Sequence, residues 1–294
     1  MSDIRLVVDA ACDLSIEQAA DAGIVLCGAG IHINGKEYKE TIEITKDRFY
    51  EEFAKCKELP VTSHVSPYTF QQVYSSALND GVRDVIHVTI HSGGSGTLGA
   101  AMLAAKTFYE ENPAATERMK IHHVDSNTYS IGYGYPTLRA AYMAREGADA
   151  HTILKYLNDW FDRVDVYFTV FSLDVVRRSG RVSAAAALAG DLLGLKPVIQ
   201  MTEGTSIIVE KTRGARKALQ YLTDILTKGI EPGGEYFILK GELDEPANLI
   251  AESLEAAVGY PPTDILRVGP SIVINSGPKL VGLVFRGKPR GHRG

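Results

Sequence analysis

The stretch Asp84–Tyr109, DVIHVTIHSGGSGTLGAAMLAAKTFY, decides how the chain is read. Val85, Ile86, Val88 and Ile90 form a β-branched run of strand length, and from Leu98 the apolar residues recur at helical spacing through Met102, Ala105 and Phe108. A strand therefore feeds a helix. Between them lie Ser92, Gly93, Gly94, Ser95, Gly96 and Thr97. The glycines let backbone N–H groups approach a ligand, and the helix N-terminus adds partial positive charge. Such a loop is suited to holding an anion.

The same grammar extends to both sides. Ile4–Val8 reads as a strand ending in Asp9, and Asp13 and Ser15 are both good N-caps for a helix carrying Ile16, Ala19 and Ala20. Ile24–Ile33 supplies another strand or two, with Asn34-Gly35 marking a turn. Thr45 caps a helix through Phe49, Phe53 and Cys56; Val61–Ser63 is extended; Ser66 caps the next helix with Pro67 at its first position. Ile121–Val124 reads as a strand with Asp125 and Ser126 as its polar exit, and a helix follows from about 135 to 145. This alternation predicts a parallel, Rossmann-like sheet covered on both faces. Ligands bind such sheets beyond the carboxyl ends of the strands. By that rule Asp9, Thr62, Ser63, the 92–97 loop, Asp125 and Ser126 share one rim.

From about His151 the pattern changes. A helix through Ile153, Leu157 and Trp160 leads to a strand at 166–171, then a hairpin of 195–201 and 206–211 around Glu203-Gly204. A helix near 215–226, a strand at 236–239 and a helix at 247–257 follow, and 265–268, 271–274 and 281–285 read as strands. The expectation is an α/β chain of two domains: residues 1–150 with the Ser/Gly loop, and residues 151–294 of α+β type.

Composition narrows the function. At 294 residues the chain exceeds what one core usually supports, and no apolar run approaches the roughly 18 residues of a membrane span. The N-terminus lacks a signal-peptide pattern, so a cytoplasmic location is expected. Cys12, Cys27 and Cys56 form no CxxC pair, which predicts three buried free thiols rather than disulfides or a zinc site. A net charge of −5 argues against nucleic acid, and the short basic tail at 286–294 does not overturn that.

Six segments in order, DAACDL at 9–14, PVTSHVSP at 60–67, HSGGSGT at 91–97, VDSNTYSIGYG at 124–134, RSGRVS at 178–183 and GLKPVI at 194–199, resemble the signature segments of the DegV family of fatty-acid-binding proteins. The resemblance implies a DegV-like two-domain fold that buries one long-chain fatty acid in the interdomain cleft. It implies no enzyme activity of its own and no cofactor; some members present the acid to a separate fatty acid kinase for acyl phosphate formation. Carried over residue by residue, the carboxylate contacts fall on Thr62 and Ser92, with Ser63, Gly93, Ser95 and Gly96 around them. Ser126 shapes the mouth, and Asn275 stands where the family has a histidine before glycine-proline-glycine. Arg181 matches an arginine of the family pattern, and Arg177 and Arg178 add charge that can face a kinase or a phosphorylated head group. The chemistry agrees, since a carboxylate needs only donors, and hydroxyls with helix-start N–H groups provide them. Three departures stand out: Ala10 and Ala11 replace two hydroxyls, His91 and Ser179 replace a usual serine and glycine, and Asn275 cannot become a cation.

Three other readings compete. Gly94, Gly96 and Gly99 match the dinucleotide fingerprint of a nucleotide-binding oxidoreductase, but late in the chain and with Asp125 farther on than a ribose-binding acid usually lies. Ser92 or Ser95 as a hydrolase nucleophile lacks a GxSxG elbow and a placeable histidine partner. His122-His123 as a metal site fails because strand neighbours diverge.

Overall fold

The computed structural model describes residues 3–183, 194–202 and 205–288. The first half contains β1 (Ile4–Asp9), α1 (Ile16–Ala22), β2 (Val25–Cys27), β3 (Gly30–Ile33), β4 (Lys36–Lys39), α2 (Lys46–Ala54) and β5 (Val61–Ser63). It continues with α3 (Pro67–Asn79), β6 (Asp84–Thr89), α4 (Thr97–Glu111), β7 (Lys120–Asp125) and α5 (Ile131–Arg145). Strands β2, β1, β6 and β7 pair in that order as a parallel sheet. Val7, Val8, Val85, Ile86, Val88 and Val124 are buried, covering both faces as a helix-covered parallel sheet requires.

The second half holds α6 (Ala150–Arg163), β8 (Val164–Val170), α7 (Asp174–Ser179), β9 (Leu195–Thr202), β10 (Thr205–Arg213), α8 (Ala215–Gly229) and β11 (Tyr236–Lys240). α9 (Asp244–Val258), β12 (Asp264–Arg267), α10 (Pro270–Ser276) and β13 (Leu280–Arg286) complete it. Its six strands run β10-β9-β8-β13-β11-β12, antiparallel except for the β11-β12 pair. The fold is therefore α/β with a parallel sheet first and a mixed sheet of α+β type second.

Helix α5 joins the two. It touches β1 and β6 on one side and β8 and β13 on the other, and Ile131, Tyr133, Ala140 and Ala141 are buried along it. One apolar core runs from Val8 and Leu14 through Tyr133 and Trp160 to Phe168, Phe237 and Val284. The Trp160 indole donates to the Gly132 carbonyl at 2.9 Å, so its ring is fixed within that core.

Several sequence expectations are corrected. Val61–Ser63 does not join the parallel sheet; β5 pairs antiparallel with β3, which pairs with β4, in a separate three-stranded sheet. Residues 271–274, a β-branched run that reads as a strand, lie in helix α10. Pro270 opens that helix and Gly277 ends it, and local propensity yields to these caps and to burial of Val273 and Ile274. Ser15 alone caps α1, forming a capping box with Gln18, while Asp13 takes a left-handed backbone at φ 64° and turns its carboxylate elsewhere. Cys12 and Cys27 are buried, but Cys56 is only half-buried. The expected hairpin turn at 203–204 and most of the basic tail lie outside the described residues.

Candidate functional site

A cleft opens between the carboxyl edge of the parallel sheet and the inner face of the six-stranded sheet. One end is polar, lined by Thr62, Ser63, His64, Ser95, Thr97, Tyr129 and Asn275. The other is apolar, with Val166, Phe168, Met201, Leu239 and Leu280 as its floor. The floor follows from strand register: Val166 stands opposite Met201, and Phe168 and Leu239 flank Gly282, so alternate residues of four strands face one space.

At the polar end, α4 begins with its first turn toward the cleft. The Ser95 hydroxyl lies 2.9 Å from that of Thr97 and accepts from the Thr97 N–H at 3.3 Å, capping the helix that Gly96 leaves uncapped. Thr62, half-buried, also lines this end, so its hydroxyl and those of Ser95 and Thr97 lie beside the helix start, and no lysine lines the cleft among the described residues. The loop glycines have a local reason. A Cβ at Gly94 would come 2.6 Å from the Tyr129 hydroxyl, and one at Gly96 would come 3.2 Å from Nδ1 of His64. Two rings therefore lie on the loop where side chains would otherwise stand. Gly99 is exposed with open space beside it, so the third glycine of the dinucleotide pattern packs against nothing.

The site residues expected from the sequence divide. Thr62, Ser63, Ser95, Gly96, Asn275 and Arg181 line the cleft. Ser92 and Gly93 do not; both are exposed, and the Ser92 N–H donates instead to Asp125 at 3.1 Å. Burial opposes ionisation of Asp125, but the His91 ring beside it and hydrogen bonds from the Ser92 and Asn127 N–H groups outweigh it and hold the carboxyl down to about 2. Ser126 is fully buried, and its hydroxyl binds the Thr128 backbone within the turn. Asn275 donates to the Ser271 carbonyl at 2.8 Å. Arg177 and Arg178 are exposed in the last turn of α7, outside the cleft lining.

For the rival chemistries, His91 is buried beside Asp125 at 3.8 Å but has no hydroxyl partner among the described residues. His122 and His123 diverge, the first to Asp84 at 2.7 Å and the second to the Tyr74 hydroxyl at 3.3 Å.

Sequence reasoning missed several polar contributors. His64, Tyr129 and Ser130, and Ser271 with Ser276, also line the cleft, and no spacing rule marks them, because they come from turns and from a helix mistaken for a strand. Asp9, expected at the rim, lies in the wall itself. It accepts from Ile90 N–H at 2.8 Å and Tyr133 O–H at 2.7 Å, and burial pushes its carboxyl up to about 6 against those bonds.

The cleft, with its donor-rich end and apolar floor, lies between a parallel and a mixed sheet in a protein of the α/β class. The chain belongs to the DegV family: the model for "Uncharacterised protein, DegV family" matches residues 3–288. A DegV domain-containing protein of Caldanaerobacter subterraneus is 28% identical over 290 residues, 98% of this chain and 100% of that one. Among solved structures, a DegV family protein from Thermus thermophilus, described for its fatty acid binding, superposes with a TM-score of 0.85 at 27% identity over 98% of this chain and 100% of its own. DegV of Bacillus subtilis, described as a fatty acid binding protein, gives 0.82 at 26% identity, with 98% and 100% covered. Among the described residues no helix is long and apolar enough to cross a membrane.

Proposed function

We propose that this protein binds one long-chain fatty acid between its two units, residues 1–150 and 151–294, as a cytoplasmic carrier and not as an enzyme. The observation that carries this reading is the amphipathic cleft, whose donor-rich mouth and apolar floor match a carboxylate with an acyl chain. The relatives from Thermus thermophilus and Bacillus subtilis, both described as fatty-acid-binding, support it. The carboxylate lies against the hydroxyls of Thr62 and Ser95 and the first-turn N–H groups of α4, with Asn275 as a further donor. Ser95 takes the role expected of Ser92, because only Ser95 faces the cleft. Most affinity comes from burying methylenes, at ~0.8 kcal/mol each. The hydroxyls orient the ligand, each charge-assisted bond adding about 1.5–3 kcal/mol. Presentation of the bound head group to a kinase is a further part of this reading, with exposed Arg181, Arg177 and Arg178 beside the mouth as the docking charges.

Solvent extraction of the purified protein followed by mass spectrometry tests the ligand. A stoichiometric fatty acid is expected; an empty extract together with no uptake of added palmitate or oleate contradicts the proposal. Ser95→Ala is expected to weaken fatty acid binding about tenfold or more, while Ser92→Ala leaves it unchanged. The reverse order would move the carboxylate to the outer part of the loop.

A further inference from the structure

The segment 267–271, which links β12 to α10, is tied to the N-terminal half almost residue by residue. Lys46 Nζ donates to the Arg267 carbonyl at 2.7 Å, and the Arg267 guanidinium meets Asp47 at 2.7 Å. The Tyr50 hydroxyl donates to the Val268 carbonyl at 3.0 Å. Asp13 accepts the Gly269 N–H at 2.6 Å, is paired with Lys46 at 3.1 Å and also accepts the Ser130 hydroxyl. Glu40, wholly buried, accepts the Ser271 N–H at 2.7 Å and its hydroxyl as well. Two buried carboxylates from β1–α1 and from the end of β4 thus cap a helix that belongs to the other sheet. A cap from a helix's own sequence would suffice for its stability, yet no side chain of the α10 segment caps it.

The capped helix is a wall of the cleft. Ser271, Ile272, Asn275 and Ser276 of α10 face the cavity. Gly269 has no room for a side chain, since a Cβ there would stand 2.8 Å from the Asp13 carboxylate. We propose that Glu40 and Asp13 are positioning residues: they clasp the first turn of α10 against the N-terminal half, and opening of this clasp sets the rate at which the cleft exchanges its ligand. This rests on the cleft being the fatty acid site only for its second clause.

A pH dependence follows from the geometry. Glu40 faces the carboxylates of Asp13 and Asp9 and the Tyr133 hydroxyl, and Lys46 is paired with Asp13. Burial foremost, then these like charges, push Glu40 up from 4.5 to about 7, against its bonds from Ser271. A raised carboxyl favours the closed state when protonated. The clasp is therefore tightest below about 4.5 and loosens as pH rises toward 7, with no further change above.

Hydrogen exchange of the 268–276 segment in the full-length protein tests the clasp without any ligand. Glu40→Ala is expected to speed exchange there about tenfold or more. Glu40→Gln, which keeps an acceptor for the Ser271 N–H, is expected to leave it protected. Unchanged protection in Glu40→Ala overturns the clasp; should that variant fold poorly, Ser271→Ala, which removes only the hydroxyl donor, is expected to give a smaller increase in the same segment and none elsewhere. Release of cis-parinaric acid, followed by stopped-flow fluorescence, tests the gate. Glu40→Ala is expected to release it faster. Glu40→Gln is expected to release it more slowly than the wild type at pH 7.5 and at the same rate near pH 5. Equal rates in all three at pH 7.5 overturn the gate, whereas a wild type that never binds the probe overturns the fatty acid reading and leaves the exchange result to decide the clasp.

Discussion

Asp9 carries the sharpest consequence at the scale of single residues. Its carboxylate is 2% exposed and sits in the cleft wall, with two donors that do not offset its burial. A carboxyl raised from 3.8 to about 6 stabilises the fold when protonated. That contribution is whole below about 3.8 and drains away as pH climbs to about 6. Each tenfold change in proton affinity is worth about 1.4 kcal/mol, so the loss amounts to about 3 kcal/mol. Urea unfolding of wild type and Asp9→Asn at pH 4 and pH 7 is expected to show the wild type losing this much relative to the variant; parallel behaviour would mean that Asp9 ionises freely in the fold. The residue scale is also where the sequence was least legible. HSGGSGT offers two serines three apart, and nothing in their spacing says which one turns inward. Only the folded loop, with Tyr129 over Gly94 and His64 over Gly96, selects Ser95.

Among the elements, α5 is the one on which both halves depend. Gly134 lets it lie directly on the short turn Ala10–Cys12, since a Cβ there would stand 2.3 Å from the Cys12 carbonyl oxygen. That turn leads from Asp9 to Asp13, so the helix position fixes both buried carboxylates. Gly134→Ala gains helix propensity of about 1 kcal/mol but forces backbone apart, and overpacking costs about 1–3 kcal/mol. The expected result is net destabilisation, read as a lower urea midpoint, together with weaker fatty acid binding. A stabilised variant would mean that the helix shifts without cost. Periodicity located the β1, β6 and β7 strands and the helices beside them, because each buries a regular face against the core. It failed at α10; at β5 it gave the extended segment but not the sheet that segment joins. Ile272, Val273 and Ile274 are strand-like by propensity, and beside the local Pro270 and Gly277 the carboxylates that cap the helix, Glu40 and Asp13, lie more than 200 residues earlier in the chain.

For the whole molecule the question is whether the two sheets behave as one unit, and the core answers it. The apolar cluster that includes Val8 and Val88 of the parallel sheet also includes Val166, Phe168 and Val284 of the mixed one, with α5 between them. Separating the halves would expose that cluster, so neither half gains by unfolding alone. The ligand cleft is similarly shared: Thr62, Ile90 and Ser95 come from one side, Phe168, Leu239 and Leu280 from the other. A fatty acid bound there, as proposed, would stabilise both halves and none of the unfolded chain. At a free concentration a hundredfold above its dissociation constant, it adds about 2.7 kcal/mol. For a chain of this size each kcal/mol raises the melting temperature by about 2–4 °C. Differential scanning calorimetry of delipidated protein is expected to give one transition, and palmitate is expected to move that transition upward by about 5–10 °C without splitting it. Two transitions, with only one responding to palmitate, would mean that the acyl chain contacts a single half and does not lie in the cleft that Thr62, Ile90 and Ser95 share with Phe168, Leu239 and Leu280.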